Sequence, residues 1–358
     1  MIQVPSHVNL VSELIPELSH YQDYLHPDLR AAVVGFGKMG VLHGTILNLL
    51  IPNSVAAVVE RNRILNFAVS KLMKNVRFYR DIEKMLKKEE PSVVYVTTPA
   101  QSHCSVVRCL LEAGVKCIFV EKPPTRTSNE LASLIDAMSP SQQVMVGFQK
   151  RFALPFRHAR MLLSNSVLGD LERVSCWTKS SDVLSPTQRY DGVGRGVLLD
   201  VGVHLLDLLV WIFGDMRIKK ASCVSVHTRV DDSFKAMLAS ENAIMVVFEA
   251  AWSSAEHRLP ETVIEVHGSN GVLTVAEDRI RVTLREEHRL LGNRSELVMY
   301  RPQYYQDFPP VNVADPEYAI EDLHLLFSIH SSAEPLTSLR NSAQVMELVD
   351  GLYARVNR

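Results

Sequence analysis

The sequence contains no uninterrupted apolar run of the ~18 residues that a membrane-crossing helix requires. Its most apolar segment, residues 197–213, is broken by Asp200, His204 and Asp207. A secretory signal is missing as well. No basic segment leads the chain, and Glu13, Pro16 and Glu17 interrupt any apolar stretch near its start. Excess charge of one sign is absent: 38 Lys and Arg against 40 Asp and Glu leave a formal net charge of -2. That balance gives no field to recruit nucleic acid or an anionic membrane. Cysteine is sparse, with Cys104, Cys109, Cys117, Cys176 and Cys223 scattered along the chain. None forms a CxxC pair and their number is odd, which points to reduced thiols in a cytoplasmic protein. What is present is the composition of a globular protein, 47 % hydrophobic and 22 % charged, over 358 residues, enough for two domains.

Residues 1–29 read as an extension with a rough helical stripe of Val8, Leu10, Val11, Leu14, Ile15 and Leu18, packing on a domain or on a neighbouring subunit. From Ala31 the pattern alternates. Buried strands are expected at 31–34, 55–59, 76–79, 93–97, 117–120 and 144–148. Helices are expected at 41–50, 63–72, 82–88, 102–113 and 128–138. This alternation is that of an α/β Rossmann domain, a doubly wound parallel sheet, over residues 30–150. Beyond Arg151 the order changes. A helix at 154–163, a strand at 172–178 and a helix at 197–213 precede strands at 221–230, 235–239, 243–251, 262–267, 271–275 and 279–284. Helices at 317–331 and 343–356 close the chain. Residues 151–358 therefore read as an α+β C-terminal domain with a large, mostly antiparallel sheet for substrate binding and oligomerisation, its closing helices free to pack back on the first domain.

The string Gly35-Phe36-Gly37-Lys38-Met39-Gly40 follows the first strand and opens a helix. Gly35 suits a tight turn, Gly37 lets backbone approach a pyrophosphate, and Gly40 lets helix and strand pack closely. The helix start then offers free N–H groups to the phosphates. Glu60 closes the second strand, where a carboxylate grips the adenosine ribose and repels a 2′-phosphate. NAD is therefore expected ahead of NADP, with Arg61 and Arg63 as the residues that would instead meet a 2′-phosphate. Thr98 and Pro99 end a strand beyond the expected switch point, beside the dinucleotide. His103, in the next helix, either touches the cofactor or only supports structure.

Two further strings carry chemistry. In Glu121-Lys122-Pro123, the lysine follows a strand end on the nicotinamide side, and a cis bond at Pro123 would fix its direction. An ammonium there can hydrogen-bond a substrate hydroxyl and stabilise alkoxide; the plain alternative is a surface lysine beside a turn. In the helix expected at 197–213, Asp200 and His204 stand at i and i+4, with Asp207 a turn further on. Imidazole suits proton exchange with an alcohol or ketone. The plain alternative is a buried, satisfied His–Asp pair. No second cluster completes a metal site around these residues, so no metal is expected.

Taken together, Gly35–Gly40, Thr98-Pro99, Glu121-Lys122-Pro123, the string from Gly147 to Phe152, the string from Asp200 to Asp207 and the string from His267 to Leu273 make residues 30–356 resemble the Gfo/Idh/MocA family of oxidoreductases. The resemblance implies hydride transfer between C4 of a nicotinamide and a secondary alcohol or ketone of a sugar, inositol or sugar derivative, including a nucleotide sugar. It implies Lys122, Asp200 and His204 as the catalytic set. Gly35, Phe36, Gly37, Lys38, Met39, Gly40, Glu60, Arg61, Thr98, Pro99, His103, Glu121, Lys122 and Gln149 would meet the cofactor. Lys122, Arg151, Gln188, Arg189, Tyr190, Asp200 and His204 would meet a small sugar-like substrate, with Asp191 and Arg195 nearby. The C-terminal sheet would build a homodimer or homotetramer. Gln149 departs from the asparagine of many members, and the N-terminal extension is unusual. Two other functions share the glycine loop: a non-catalytic dinucleotide sensor, which need not keep Lys122 with His204, and a redox-neutral glycosidase that uses NAD transiently.

Overall fold

The computed structural model describes residues 13–16, 19–64, 67, 70, 73, 75–181, 195–257, 260–306, 308, 311 and 313–356. The chain forms two compact units. One takes Ile15–Gln149 and is rejoined by Asp307–Ala343; the other holds Lys150–Gln306 and Gln344–Arg358.

The first unit is built on six parallel strands: β1 (Ala31–Val34), β2 (Val55–Val59), β3 (Arg77–Tyr79), β4 (Val93–Val96), β5 (Cys117–Glu121) and β6 (Gln143–Gly147). Their order is β3-β2-β1-β4-β5-β6, so strand order reverses between β1 and β4. β1, β4 and β5 are buried along their whole length, which is why they are mostly apolar and aromatic runs without polar alternation, broken only by Glu121 at the end of β5. Helices α1 (Lys38–Leu50), α2 (Ile82–Glu89), α3 (His103–Glu112) and α4 (Ser128–Ala137) make the crossovers, as expected for a Rossmann fold. Asp81 and Thr127 cap α2 and α4 through their side chains. The helix expected at 63–72 falls partly, and the stripe at Val8, Leu10, Val11 and Leu18 wholly, outside the described residues.

The second unit carries α5 (Leu154–Ser164), β7 (Leu171–Lys179), a π turn (Leu198–Gly202) that runs into α6 (Val203–Phe213), and strands β8 (Met216–Val224), β9 (Ser233–Ser240), β10 (Met245–Ala251), β11 (Glu261–Gly268), β12 (Gly271–Ala276), β13 (Arg279–His288) and β14 (Arg294–Tyr300). The sheet order is β14-β13-β12-β11-β7-β10-β9-β8. β7 and β10 run parallel and every other adjacent pair is antiparallel. The sheet is thus mostly antiparallel, as the sequence implies.

Three expectations need correction. The strand expected at 221–230 starts earlier and stops at Val224, because the Asp232 carboxylate draws the N–H groups of Val226 and His227 into a turn at 2.6 and 2.5 Å. β14 is an added strand, half polar and edge-lying. The helix expected at 197–213 begins with the π turn. On the sheet face away from its buried side chains, Met237 of β9 and Val247 of β10 are direct cross-strand partners, 41 % and 51 % exposed. Short α7 (Arg301–Tyr304), then α8 (Pro316–Ser331) and α9 (Ala343–Val356) complete the chain. α8 lies in the first unit, where it packs on α1, and α9 in the second.

Candidate active site

In the first unit the glycine turn joins β1 to α1 next to the strand-order reversal, where α/β sheets hold their ligands. Its glycines are required for different reasons. Gly35 has φ +90°, and a Cβ there would stand 2.8 Å from the Thr98 backbone. A Cβ on Gly40 would stand 2.2 Å from the Gly35 carbonyl oxygen. Both are excluded by the protein's own packing. A Cβ on Gly37 would meet nothing within 4 Å. Gly37 is therefore not demanded by the fold, and the bare backbone beside it suits a group that comes from outside. No side chain caps the start of α1, which leaves the first N–H groups of α1 available to an anion.

Phe36 supports the turn from inside. Its side chain is 5 % exposed and meets Phe78 edge-on, and its N–H donates to Glu60 Oε2 at 2.9 Å. Its N–H and its ring are thus both taken up within the protein. The other oxygen of Glu60 accepts from Asn62 N–H at 2.8 Å, so the carboxylate is fixed at the end of β2. Lys38, Arg61 and Pro99 are exposed and Met39 and Thr98 half-buried. Thr97 donates its hydroxyl to the Gly35 carbonyl at 2.6 Å and ties β4 to the glycine turn.

His103 is buried, with Nδ1 2.8 Å from the Pro123 carbonyl oxygen and Nε2 2.7 Å from that of Thr98. It braces the loops after β4 and β5, and burial, the larger influence, holds its pKa below the usual imidazole range against those two carbonyls. Both ring nitrogens of His103 are thus engaged by backbone carbonyls, the arrangement expected of a structural residue. Lys122 directly follows β5, is half-buried, and precedes a cis bond to Pro123. Glu121 Oε2 accepts the Lys122 N–H at 3.0 Å. Gln149 donates from Nε2 to the Tyr318 hydroxyl at 3.2 Å. Tyr318, on α8, lies 169 residues downstream, and no local pattern in the sequence links the two.

In the second unit Asp200 sits half-buried in the π turn, and His204, 4 % exposed, opens α6. The wide turn sets their register, not an unbroken α-helix. Asp207 belongs elsewhere. Its two carboxylate oxygens take Arg151 Nε and Nη2 at 2.7 and 2.6 Å. Burial raises the Asp207 pKa and the guanidinium works against that rise. Arg151 is only 4 % exposed and serves as the internal counter-ion of α6. Arg195 is likewise engaged, 2.5 Å from Asp350 and 4.8 Å above the Tyr353 ring. Gln188, Arg189, Tyr190 and Asp191 lie outside the described residues.

The arrangement offers two kinds of chemistry. The first unit presents an uncapped helix start behind a glycine turn, a carboxylate fixed at the end of β2 and an ammonium at a strand end. The second presents an imidazole and a carboxylate on one helix start. Among the described residues, no three His, Cys, Asp or Glu side chains are grouped to hold a metal ion, and no helix is long and apolar enough to cross a membrane.

Comparison with known proteins agrees with this picture. Residues 29–148 match the oxidoreductase family with an NAD-binding Rossmann fold, and residues 156–274 match the GFO/IDH/MocA C-terminal domain. Among curated proteins, the chain is 26 % identical over 285 residues to D-apiose dehydrogenase of Paraburkholderia graminis, covering 77 % of this chain and 74 % of that one. It is 23 % identical over 348 residues to D-glucoside 3-dehydrogenase of Escherichia coli, covering 91 % and 94 %. Among solved structures, levoglucosan dehydrogenase in complex with NADH and levoglucosan superposes with a TM-score of 0.81 at 19 % identity, over 92 % of this chain and 97 % of that one.

Proposed function

Because the chain belongs to the GFO/IDH/MocA oxidoreductase family, we propose that it is an NAD-dependent dehydrogenase that interconverts a secondary alcohol and a ketone on a sugar, an inositol or a related polyol. The observation that carries this reading is Gly37, a glycine that no protein atom requires, at the head of an uncapped helix. The nicotinamide, when bound, accepts or returns the hydride. The chain's own residues do the rest. The α1 N–H groups hold phosphate, and Glu60 holds the ribose hydroxyls. The Lys122 ammonium hydrogen-bonds the reacting hydroxyl and stabilises its alkoxide. His204 takes or returns the hydroxyl proton, and Asp200 orients substrate or imidazole.

Glu60 favours NAD over NADP in this reading, because its carboxylate, fixed by two N–H donors, repels a 2′-phosphate. A free polyol is favoured over a nucleotide sugar. Of the arginines considered for a diphosphate, Arg151 and Arg195 are tied to Asp207 and Asp350. The outward face of the eight-stranded sheet, with Met237 beside Val247, supports a homodimer or homotetramer. Its charge balance and reduced thiols support a cytoplasmic setting.

The test is the NADH absorbance band, followed over a panel of sugars, inositols and nucleotide sugars with each dinucleotide. Net NADH formation on a free polyol is the expected result. Turnover without net NADH would instead mark a redox-neutral enzyme, and dinucleotide binding with no turnover on any polyol would mark a sensor. Glu60→Ser should move preference toward NADP.

A further inference from the structure

One buried cluster in the first unit is not used by this mechanism. His43 lies on α1, one turn beyond Gly40, and is 0 % exposed. Its Nδ1 is 2.9 Å from Asp322 Oδ1 on α8, and its Nε2 is 3.3 Å from Glu121 Oε1 at the end of β5. Tyr95 of β4 and Phe119 of β5 lie tilted against the ring, and Tyr318 of α8 meets it edge-on. Glu321, also on α8, is fully buried, and Glu317 of the same helix is nearly so. Among the described residues neither oxygen of Glu321 has a hydrogen-bond partner.

The charges sort themselves. Burial alone would lower the His43 pKa, but the Asp322 charge and the hydrogen bonds to Asp322 and Glu121 outweigh it and hold the ring well above the usual imidazole range. Burial drives Glu321 far above the carboxylate range, with the His43 charge opposing it. Both shifts run the same way, favouring a proton on the ring and a proton on Glu321.

A buried histidine of this kind can simply bolt two helices together. Here the geometry leads further, because Glu121 is bound at both oxygens. Oε1 faces His43, and Oε2 accepts the backbone N–H of Lys122 at 3.0 Å. A carboxylate held at one oxygen has its rotamer fixed, and so fixes whatever the other oxygen holds. We infer that His43 is a positioning residue: oriented by Asp322, it sets the Glu121 carboxylate, and Glu121 sets the backbone from which Lys122 presents its ammonium. This rests on the reading of Lys122 as the group that meets the reacting hydroxyl.

The test uses the full chain carrying His43→Gln and Asp322→Asn together, so that removing the ring does not leave the Asp322 charge buried without its partner. The link itself is read by amide hydrogen exchange at Lys122, with Val120 of the same strand as control. Lys122 exchange should accelerate about tenfold while Val120 keeps its protection. In the NAD-linked oxidation, kcat should fall about 100-fold, with KM for NAD within about threefold of wild type. Asp322→Asn alone keeps the ring and an acceptor for it but removes the charge that holds it. It should move the Lys122 amide and kcat in the same direction by about threefold, and it serves if the double variant does not fold. Unchanged Lys122 exchange in a folded variant would overturn the proposal, as would equal acceleration at Val120, which would make His43 a bolt and nothing more. If wild type turns over no polyol with NAD, the functional reading fails, while the exchange measurement still decides whether His43 governs the Lys122 backbone.

Discussion

Gly37 and Gly40 stand three residues apart in one turn, yet a methyl group should damage them in opposite ways. Gly40→Ala drives Cβ onto the Gly35 carbonyl and should lower the melting temperature or prevent folding. Gly37→Ala meets no protein atom, so the melting temperature should hold while NADH affinity, read by fluorescence titration, falls about tenfold. A large stability loss at Gly37 would remove the argument for a ligand there. Lys122→Ala should cut kcat by about 100-fold or more with NADH affinity nearly unchanged; equal turnover would take the lysine out of the mechanism.

The buried histidines also set the response to pH, with opposite signs. His158 on α5 has its Nδ1 2.8 Å from the Tyr304 hydroxyl oxygen, and burial pushes its pKa down to about 4. Its contribution is full above the unfolded value of 6.5 and is lost as pH falls toward 4, by about 3 kcal/mol in all. His43, whose pKa is raised, contributes below 6.5 and loses that contribution as pH rises through its folded value. Urea unfolding midpoints at pH 7, 6, 5 and 4 should therefore decline on the acid side. His158→Gln, which can still accept from Tyr304, should flatten that decline. An unaltered slope would show that His158 titrates normally.

At the scale of elements, the start of the helix bearing Asp200 and His204 is held by a residue that the sequence does not advertise. The carboxylate of Asp231 accepts the N–H groups of Gly196 and Leu198, each at 3.0 Å, and the Tyr353 hydroxyl at 3.1 Å. It does for this helix what a capping side chain normally does from within the same segment. Asp231→Ala leaves two buried N–H groups without that acceptor and should cost about 2 kcal/mol of stability in urea denaturation; Asp231→Asn should cost less. A neutral result for the alanine would mean that the helix start is held by other contacts.

This helix also shows where sequence reading stops. The strands β1, β2, β4, β5 and β6 are legible because fully buried strands must be apolar throughout and are bounded by glycine or polar turns. The glycine turn and Lys122 are legible for the same local reason. The π turn is not, since one added residue per turn leaves the apolar pattern of 197–213 intact. β14 escapes because Arg294, Glu296 and Val298 are polar or exposed edge positions with no inward run of Val or Ile. The true roles of Asp207 and Arg151 escape because their pairing spans 56 residues, and the same polar stripe fits either a catalytic set or an internal ion pair.

For the molecule as a whole, the uncovered Met237–Val247 pair is the feature most exposed to test. Placing Met237→Lys and Val247→Lys together on neighbouring strands puts two like charges directly opposite each other on the outward sheet face. Light scattering should show a smaller species than wild type, with the melting temperature little changed. An unchanged mass would locate self-association elsewhere. Long-range assembly of this sort is the least legible level of all. Nothing local in residues 30–150 announces that Asp322, 279 positions beyond His43, completes their interior.

That dependence reaches back to the ribosome. The nucleotide-binding half emerges first, but α8, which supplies Asp322 to His43, is translated only after the entire eight-stranded sheet has been made. At about 5–20 residues per second, the nascent half must wait on the order of ten seconds without the helix and the aspartate that complete the surroundings of His43. An isolated fragment ending at residue 149 would remain in that waiting state indefinitely and so should be prone to aggregation, whereas adding a peptide spanning residues 307–343 should rescue it.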